Sequence, residues 1–162
     1  YIGLTGTSAS LVVLESYFSD PQHPRDFSST ASIFETFRLA HHKLKTDYFM
    51  AAYPDKGEEY ETTQFYGLAA NPHGIFALYS YRSAQQFKKF WAAGSGRDYA
   101  LGAMQAVYDR YDKVEDIIKA GLNASAEFDS GSSAPFDIYK VKLQDQPAPR
   151  VKGGRKTKAN QR

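Results

Sequence analysis

Apolar positions change period twice along the chain, and the changes mark out its elements. The opening Tyr1-Ile-Gly-Leu-Thr-Gly-Thr reads as the end of a strand turning into a helix, with Thr5, Thr7 or Ser8 available as cap. Leu11, Leu14, Tyr17 and Phe18 then recur at offsets of three and four, which makes one apolar helical face ended by Pro21 and Pro24. Ile33, Phe37, Ala40 and Leu44 form a second stripe of helical period. Ser29 or Ser32 serves as its N-cap, and Ser32 with Glu35 makes a capping box. Asp55 to Glu61 is polar and predicts a loop. The pattern next becomes strand-like: Thr62–Ala70 and Ile75–Tyr81 are rich in β-branched and aromatic residues and flank the turn Asn71-Pro72-His73-Gly74. A short apolar run, Phe90–Ala93, leads into Gly94-Ser95-Gly96 as a further strand. Helical patterns return over Tyr99–Tyr108 and again over Val114, Ile117, Ile118, Gly121 and Leu122, the second started by Asp112 and Glu115. Phe136–Leu143 predicts a closing strand. The expected order is strand, two helices, three strands, two helices and a strand, an α+β pattern with no internal repeat.

Length and charge then divide the chain. At 162 residues one compact domain is expected. From Pro147 onward there are six cations and no acid, so the net charge of +2 conceals a body near −4. We therefore assign residues 1–143 to the domain and 144–162 to a basic tail, which has too few apolar groups to offset its ordering entropy. Contact with nucleic acid is expected through that tail alone, as an addition to the main function. The longest apolar runs, such as Leu11–Leu14, fall far short of the ~20 residues that cross a bilayer. The absence of Cys excludes disulfides and thiolate metal sites and fits a cytoplasmic protein. The chain opens on Tyr1, inside a strand, which leads us to expect a fragment of a longer protein.

Several kinds of chemistry have no support. There is no Gly-x-Ser-x-Gly elbow, phosphate-binding glycine loop or His-Glu-x-x-His. His41 and His42 are neighbours on a helix and point about 100° apart, so they cannot share a metal through that helix alone, and both are expected at the solvated surface with His73. No metal or cofactor is expected. The informative stretch is Ala93–Ala103, in which two glycines bracket Ser95 ahead of a helix with Asp98 in its first turn. Ser95 either caps that helix or stands exposed in a cleft, where its hydroxyl can relay a proton; spacing leaves both open.

Three stretches carry a family resemblance. Gly94-Ser95-Gly96 followed by Tyr99-Ala100-Leu101-Gly102-Ala103 resembles the strand-to-helix junction of proteasome β subunits and bacterial HslV, and Gly3–Ala9 resembles the strand end and helix start of that family. Ala70–Phe76, Gly94–Ala103 and Glu127-Phe128-Asp129 resemble the β-proteobacterial proteasome homologue branch. The likeness runs from about Tyr1 to Leu143 and leaves out the tail.

The resemblance implies an N-terminal-nucleophile hydrolase, a four-layer α-β-β-α sandwich with two antiparallel sheets, here without its N-terminal hairpins. It implies a threonine-type peptidase whose N-terminal Thr and supporting Lys and Asp precede Gly3, so that the present chain lacks the nucleophile and is inactive alone. Ser95 corresponds to the serine that bonds the nucleophile's amine, Asp129 to the aspartate supporting that amine, and Ser132 to the serine beside it, although a Ser/Gly loop starting in Asp is also an ordinary turn. Gly6 corresponds to the oxyanion-stabilising backbone N–H, and Leu4, Ser8 and Val12 to a modest apolar substrate pocket. Arg97 departs from the small or polar residue common at its place. An outward-facing salt bridge with Asp98 or Asp129 is the favoured reading of it, and selection of carboxyl-bearing substrates the other. The implied partners are polypeptide substrates, copies of the same subunit in a ring and an ATPase unfoldase. The alternatives are a non-catalytic structural ring subunit and an amidase of the same nucleophile class.

Overall fold

The computed structural model describes residues 1–51, 60–63 and 65–144. The basic tail beyond Gln144 and most of the expected loop at Asp55–Glu61 lie outside the described residues. In chain order the elements are β1 (Ile2–Gly6), α1 (Ser8–Ser19), α2 (Thr30–Thr46), β2 (Phe65–Asn71), β3 (Gly74–Leu78), β4 (Ala84–Phe87), α3 (Arg97–Val107) and α4 (Val114–Phe128).

The four strands form one antiparallel sheet in the order β1-β2-β3-β4. The β2–β3 hairpin is tight, pairing Asn71 with Gly74 across Pro72-His73. Asn71 holds that turn by accepting the His73 N–H at 2.7 Å, and Gly74 supplies a φ of +142° that a larger residue would resist. The helical stripes read from the sequence bury as expected: Leu14 and Tyr17 of α1 with Ile33, Phe37, Ala40 and Leu44 of α2 pack on Phe65, Ala69, Phe76 and Leu78 of the sheet. Each such large side chain contributes about 1.5–3 kcal/mol when fully buried. A second cluster, Ala92, Ala100, Met104 and Ile117, joins α3 to α4. Gly121 lets these helices approach closely, because a Cβ there would lie 2.9 Å from Met104 Cγ and 3.2 Å from the Ala100 carbonyl.

The helix starts agree with expectation in part. Thr7 caps α1 and Ser29 caps α2, each accepting from the backbone N–H three residues on. Glu35 pairs with Arg38 instead of closing a capping box with Ser32. Lys113, not Asp112, precedes α4 and makes no side-chain cap, although Glu115 and Asp116 place acid in its first turn.

Two strand expectations are corrected. Phe90–Ala93 is irregular, and the fourth strand lies earlier, at Ala84–Phe87. The turn at Tyr79–Ser83, with Arg82 at φ +65°, returns the chain onto β3 before Phe90 is reached. Phe136–Leu143 is not a strand either. Its alternation has no ladder neighbour among the described residues; it is tied down by isolated contacts, Tyr139 stacked on Tyr1 at 4.7 Å, Lys140 paired with Glu115, and Gln144 N–H donating to Pro72 O. The described strands therefore make one sheet of the expected two. The face of that sheet bearing Leu68 looks across a pocket of about 510 Å³ toward Met104 and Leu122 of the α3–α4 pair. No helix among the described residues is long and apolar enough to cross a membrane.

Candidate active site

Local backbone chemistry decides where Ser95 stands. Gly94 has φ +111°, in the left-handed region where a side chain is strained. Gly96 is the N-cap of α3, and its carbonyl accepts the Ala100 N–H and the buried Ser125 hydroxyl, the latter at 2.9 Å. A Cβ on Gly96 would fall 2.8 Å from both Ser125 Cβ and Ser132 Oγ. Ser95 is thus presented between two positions that only glycine fills easily. It does not cap α3, which has no side-chain cap. Its Oγ donates instead to Asp129 Oδ2 at 2.8 Å, 34 residues away in the chain.

Asp129 is the C-cap of α4, with its N–H bonded to Ser125 O at 2.8 Å. A turn follows, closed by Ser132 N–H on Asp129 O, and it returns the Ser132 hydroxyl to the same carboxylate oxygen at 2.7 Å. Gly131 lies against the pair: a Cβ there would come within 2.7 Å of Ser95 Oγ and 3.3 Å of Asp129 Oδ2. The Ser132 hydroxyl first and then the Ser95 hydroxyl hold the Asp129 carboxyl below the usual carboxylate range; burial opposes them less strongly, and the Gly131 peptide adds the least. Asp129 is therefore a carboxylate at neutral pH. Both hydroxyls converge on Oδ2, which leaves Oδ1 able to accept from a cationic donor.

Ser95, Gly131 and Ser132 edge a cleft of about 690 Å³ that also includes Gly6, Leu4 and Leu11 from the β1–α1 junction. Thr5 approaches the Ser95 loop, since a Cβ on Gly94 would sit 3.5 Å from its Cγ2. The structure thus gathers Gly6, Leu4, Ser95 and Ser132 at one opening, with Asp129 binding the two serines. Ser8 and Val12 are not brought there: both are exposed on α1, Val12 at 65%, and Leu11 takes the place facing the cleft. Arg97 pairs with Asp98 through Nε at 2.9 Å and also borders the cleft. Among the described residues no three His, Asp or Glu side chains gather as metal ligands.

His41 departs from the surface position expected of it. Its side chain is 13% exposed and bonds Glu61 at 3.0 Å. Burial lowers its pKa, opposed by the bond to Glu61. His42 is exposed as expected, whereas His73 is half-buried. Sequence reasoning missed Tyr66, Tyr79 and Trp91 in the cleft wall, and Ser125 beneath it. Tyr66 was open to discovery, because strand alternation sets it opposite the buried Phe65. Ser125 carried no signal.

No protein-family model matches the chain. No curated protein matches it either. Solved structures do. BPH of Thiobacillus denitrificans, a bacterial proteasome homologue, is similar with 34% identity and a TM-score of 0.80, over 90% of this chain and 76% of that one. The same protein in complex with epoxomicin gives 35% identity and a TM-score of 0.75, over 83% and 70%. The chain belongs to the proteasome-type family. HslV of Trypanosoma brucei shares the fold at 15% identity, with a TM-score of 0.61 over 87% of this chain and 75% of that one. As a proteasome-type subunit, the chain brings its glycine-bracketed serine and the aspartate after its last helix onto a single hydrogen-bonded centre.

Proposed function

We propose that this protein is a subunit of a threonine-type peptidase that hydrolyses peptide bonds in polypeptide substrates. In this reading the nucleophile is an N-terminal Thr upstream of Tyr1, lodged in the cleft beside Ser95. Its α-amine, with a reference pKa of about 7.7–8.0, is substantially neutral near physiological pH and takes the proton of its own hydroxyl. The hydroxyl oxygen attacks the peptide carbonyl, Gly6 N–H donates to the oxygen that gains charge, and the amine passes its proton to the departing amine. Water then hydrolyses the ester. Asp129 stabilises the ammonium form during the step, while the Ser95 and Ser132 hydroxyls hold that carboxylate and offer lone pairs to the amine's hydrogens.

The observation that carries this reading is the convergence of Ser95 and Ser132 on Asp129 Oδ2, at 2.8 and 2.7 Å, beside a cleft that Gly6 also lines. The reading extends to a cytoplasmic ring of identical subunits served by an ATPase unfoldase. It also extends to the full two-sheet sandwich, and the pocket between Leu68 and the α3–α4 pair supports a second sheet there.

The test uses the full-length protein with an exposed N-terminal Thr and a fluorogenic peptide. Asp129→Asn is expected to lower kcat about 10–100-fold with little change in KM, and epoxomicin, the ligand of the similar BPH complex, to abolish turnover. Turnover indifferent to Asp129→Asn removes the proposed role, and no turnover at all favours a non-catalytic ring subunit.

A further inference from the structure

Arg97 occupies the first position of α3, an unfavourable place for a cation because the helix dipole presents its positive end there. Its partner Asp98 is 81% exposed, and such surface pairs contribute little to stability. That pair engages Nε only, so the end-on edge formed by Nη1 and Nη2 lies outside it. The side chain is half exposed and borders the 690 Å³ cleft, where, among the described lining residues, it alone is charged at neutral pH. It is also independent of the catalytic carboxylate: Asp129 is held by Ser132, Ser95 and the Gly131 peptide. The surrounding wall is aromatic and aliphatic, with Tyr66, Tyr79, Trp91 and Leu11.

We propose that Arg97 is a specificity-determining residue, whose free guanidinium edge receives an Asp or Glu side chain of the peptide bound in the cleft. The inference rests on the peptidase reading above and names its substrate class. A planar guanidinium matches a carboxylate through two parallel hydrogen bonds, which a neutral amide cannot reproduce. The apolar wall and the amino-terminal end of α3 both strengthen that preference.

The experiment compares fluorogenic peptides that differ only by Glu or Gln, walked through the positions flanking the cut bond, on the full-length protein. At one position Glu is expected to exceed Gln by about tenfold in kcat/KM, mostly through KM. Arg97→Gln brings that ratio near unity, Arg97→Glu inverts it, and Arg97→Lys keeps part of it; melting curves confirm that each variant folds. Uniform ratios in the wild type, or a preference surviving Arg97→Gln, overturn the proposal. So does a changed assembly size in Arg97→Glu with the Glu/Gln ratio intact, which assigns Arg97 to a subunit contact. Should no peptide be cut, it is the peptidase reading that fails. Anisotropy titrations with the same peptides then decide Arg97 separately: a roughly tenfold Kd ratio lost in Arg97→Gln supports it, and a ratio of one refutes it.

Discussion

Gly67 and Gly3 are near neighbours across the β1–β2 ladder, and the structure predicts opposite outcomes for the same substitution at each. Gly67 pairs with Leu4. A Cβ added to Gly67 would lie 2.6 Å from the Gly3 carbonyl oxygen and 2.8 Å from Leu4 Cδ2, whereas one added to Gly3 meets nothing within 4 Å. Leu4 can rotate, but a carbonyl in the ladder cannot. Carbon–oxygen contacts between strands settle at about 3.3–3.6 Å, so β1 must draw back by roughly 0.7–1.0 Å, enough to weaken the neighbouring ladder bonds. Overpacking of this kind costs about 1–3 kcal/mol, offset by about 0.4–1 kcal/mol from the stiffer unfolded chain. Gly67→Ala is thus expected to lose about 1–2 kcal/mol, a fall of roughly 3–8 °C in Tm, while Gly3→Ala is neutral or gains a few tenths. Urea unfolding followed by circular dichroism, with calorimetry for Tm, measures both. If Gly67→Ala is as stable as the parent, or Gly3→Ala is equally damaging, β1 is not seated on β2 as described, and Gly6 loses its place in the cleft.

Ser132→Ala is expected to raise the Asp129 pKa more than Ser95→Ala does, because the Ser132 hydroxyl is the larger cause of its depression; carboxyl-carbon NMR titration reads the order, and a reversed ranking contradicts it. His41 has a pKa lowered by burial, so the unfolded chain takes up its proton first, and stability falls as pH drops below about 6.5. His41→Gln should flatten that decline between pH 7 and 5 in urea midpoints; an identical slope would place the titration elsewhere. Gly102 sits inside α3 with open space around it, so Gly102→Ala should add about 0.5–1 kcal/mol by helix propensity, checked by thermal melting.

Most of what depended on one residue's neighbours along the chain was legible in advance, the capping box at Ser32 and the start at Asp112 excepted. The stripe Ile33, Phe37, Ala40 and Leu44 buried as its spacing required, and Asn71 with Gly74 formed the turn their chemistry favours. Elements decided by remote pairing were not. Gln85 and Gln86 carry no strand signal, yet they pair with β3 because the Tyr79–Ser83 turn delivers them there. Phe136–Leu143 carries the signal but meets no ladder partner among the described residues. The site divides in the same way. The two glycines around Ser95 advertised a special junction, and likeness to a family linked it to Asp129. Leu11 lies on the apolar stripe of α1 and Val12 just off it, but that spacing does not say which of them meets the cleft; Leu11 lines it, and Val12 is exposed.

The geometry around Asp129 follows from helix packing more than from the site's own contacts. Ser125 donates its hydroxyl to Gly96 O at the start of α3, while its carbonyl accepts the Asp129 N–H at the end of α4. One residue therefore ties the backbone presenting Ser95 to the backbone presenting Asp129. The close fit at Gly96 and Gly121 keeps the helices at the separation this tie requires. Widening the α3–α4 gap by even half an ångström would stretch the 2.8 Å Ser95–Asp129 bond toward the limit of a useful hydrogen bond. The Ser132–Asp129 bond, made within a single turn, would survive the same movement. It follows that a substitution such as Ser125→Ala, outside the cleft lining, should act on Ser95 selectively. Asp129 would keep its bond to Ser132, and Ser95 would lose its place.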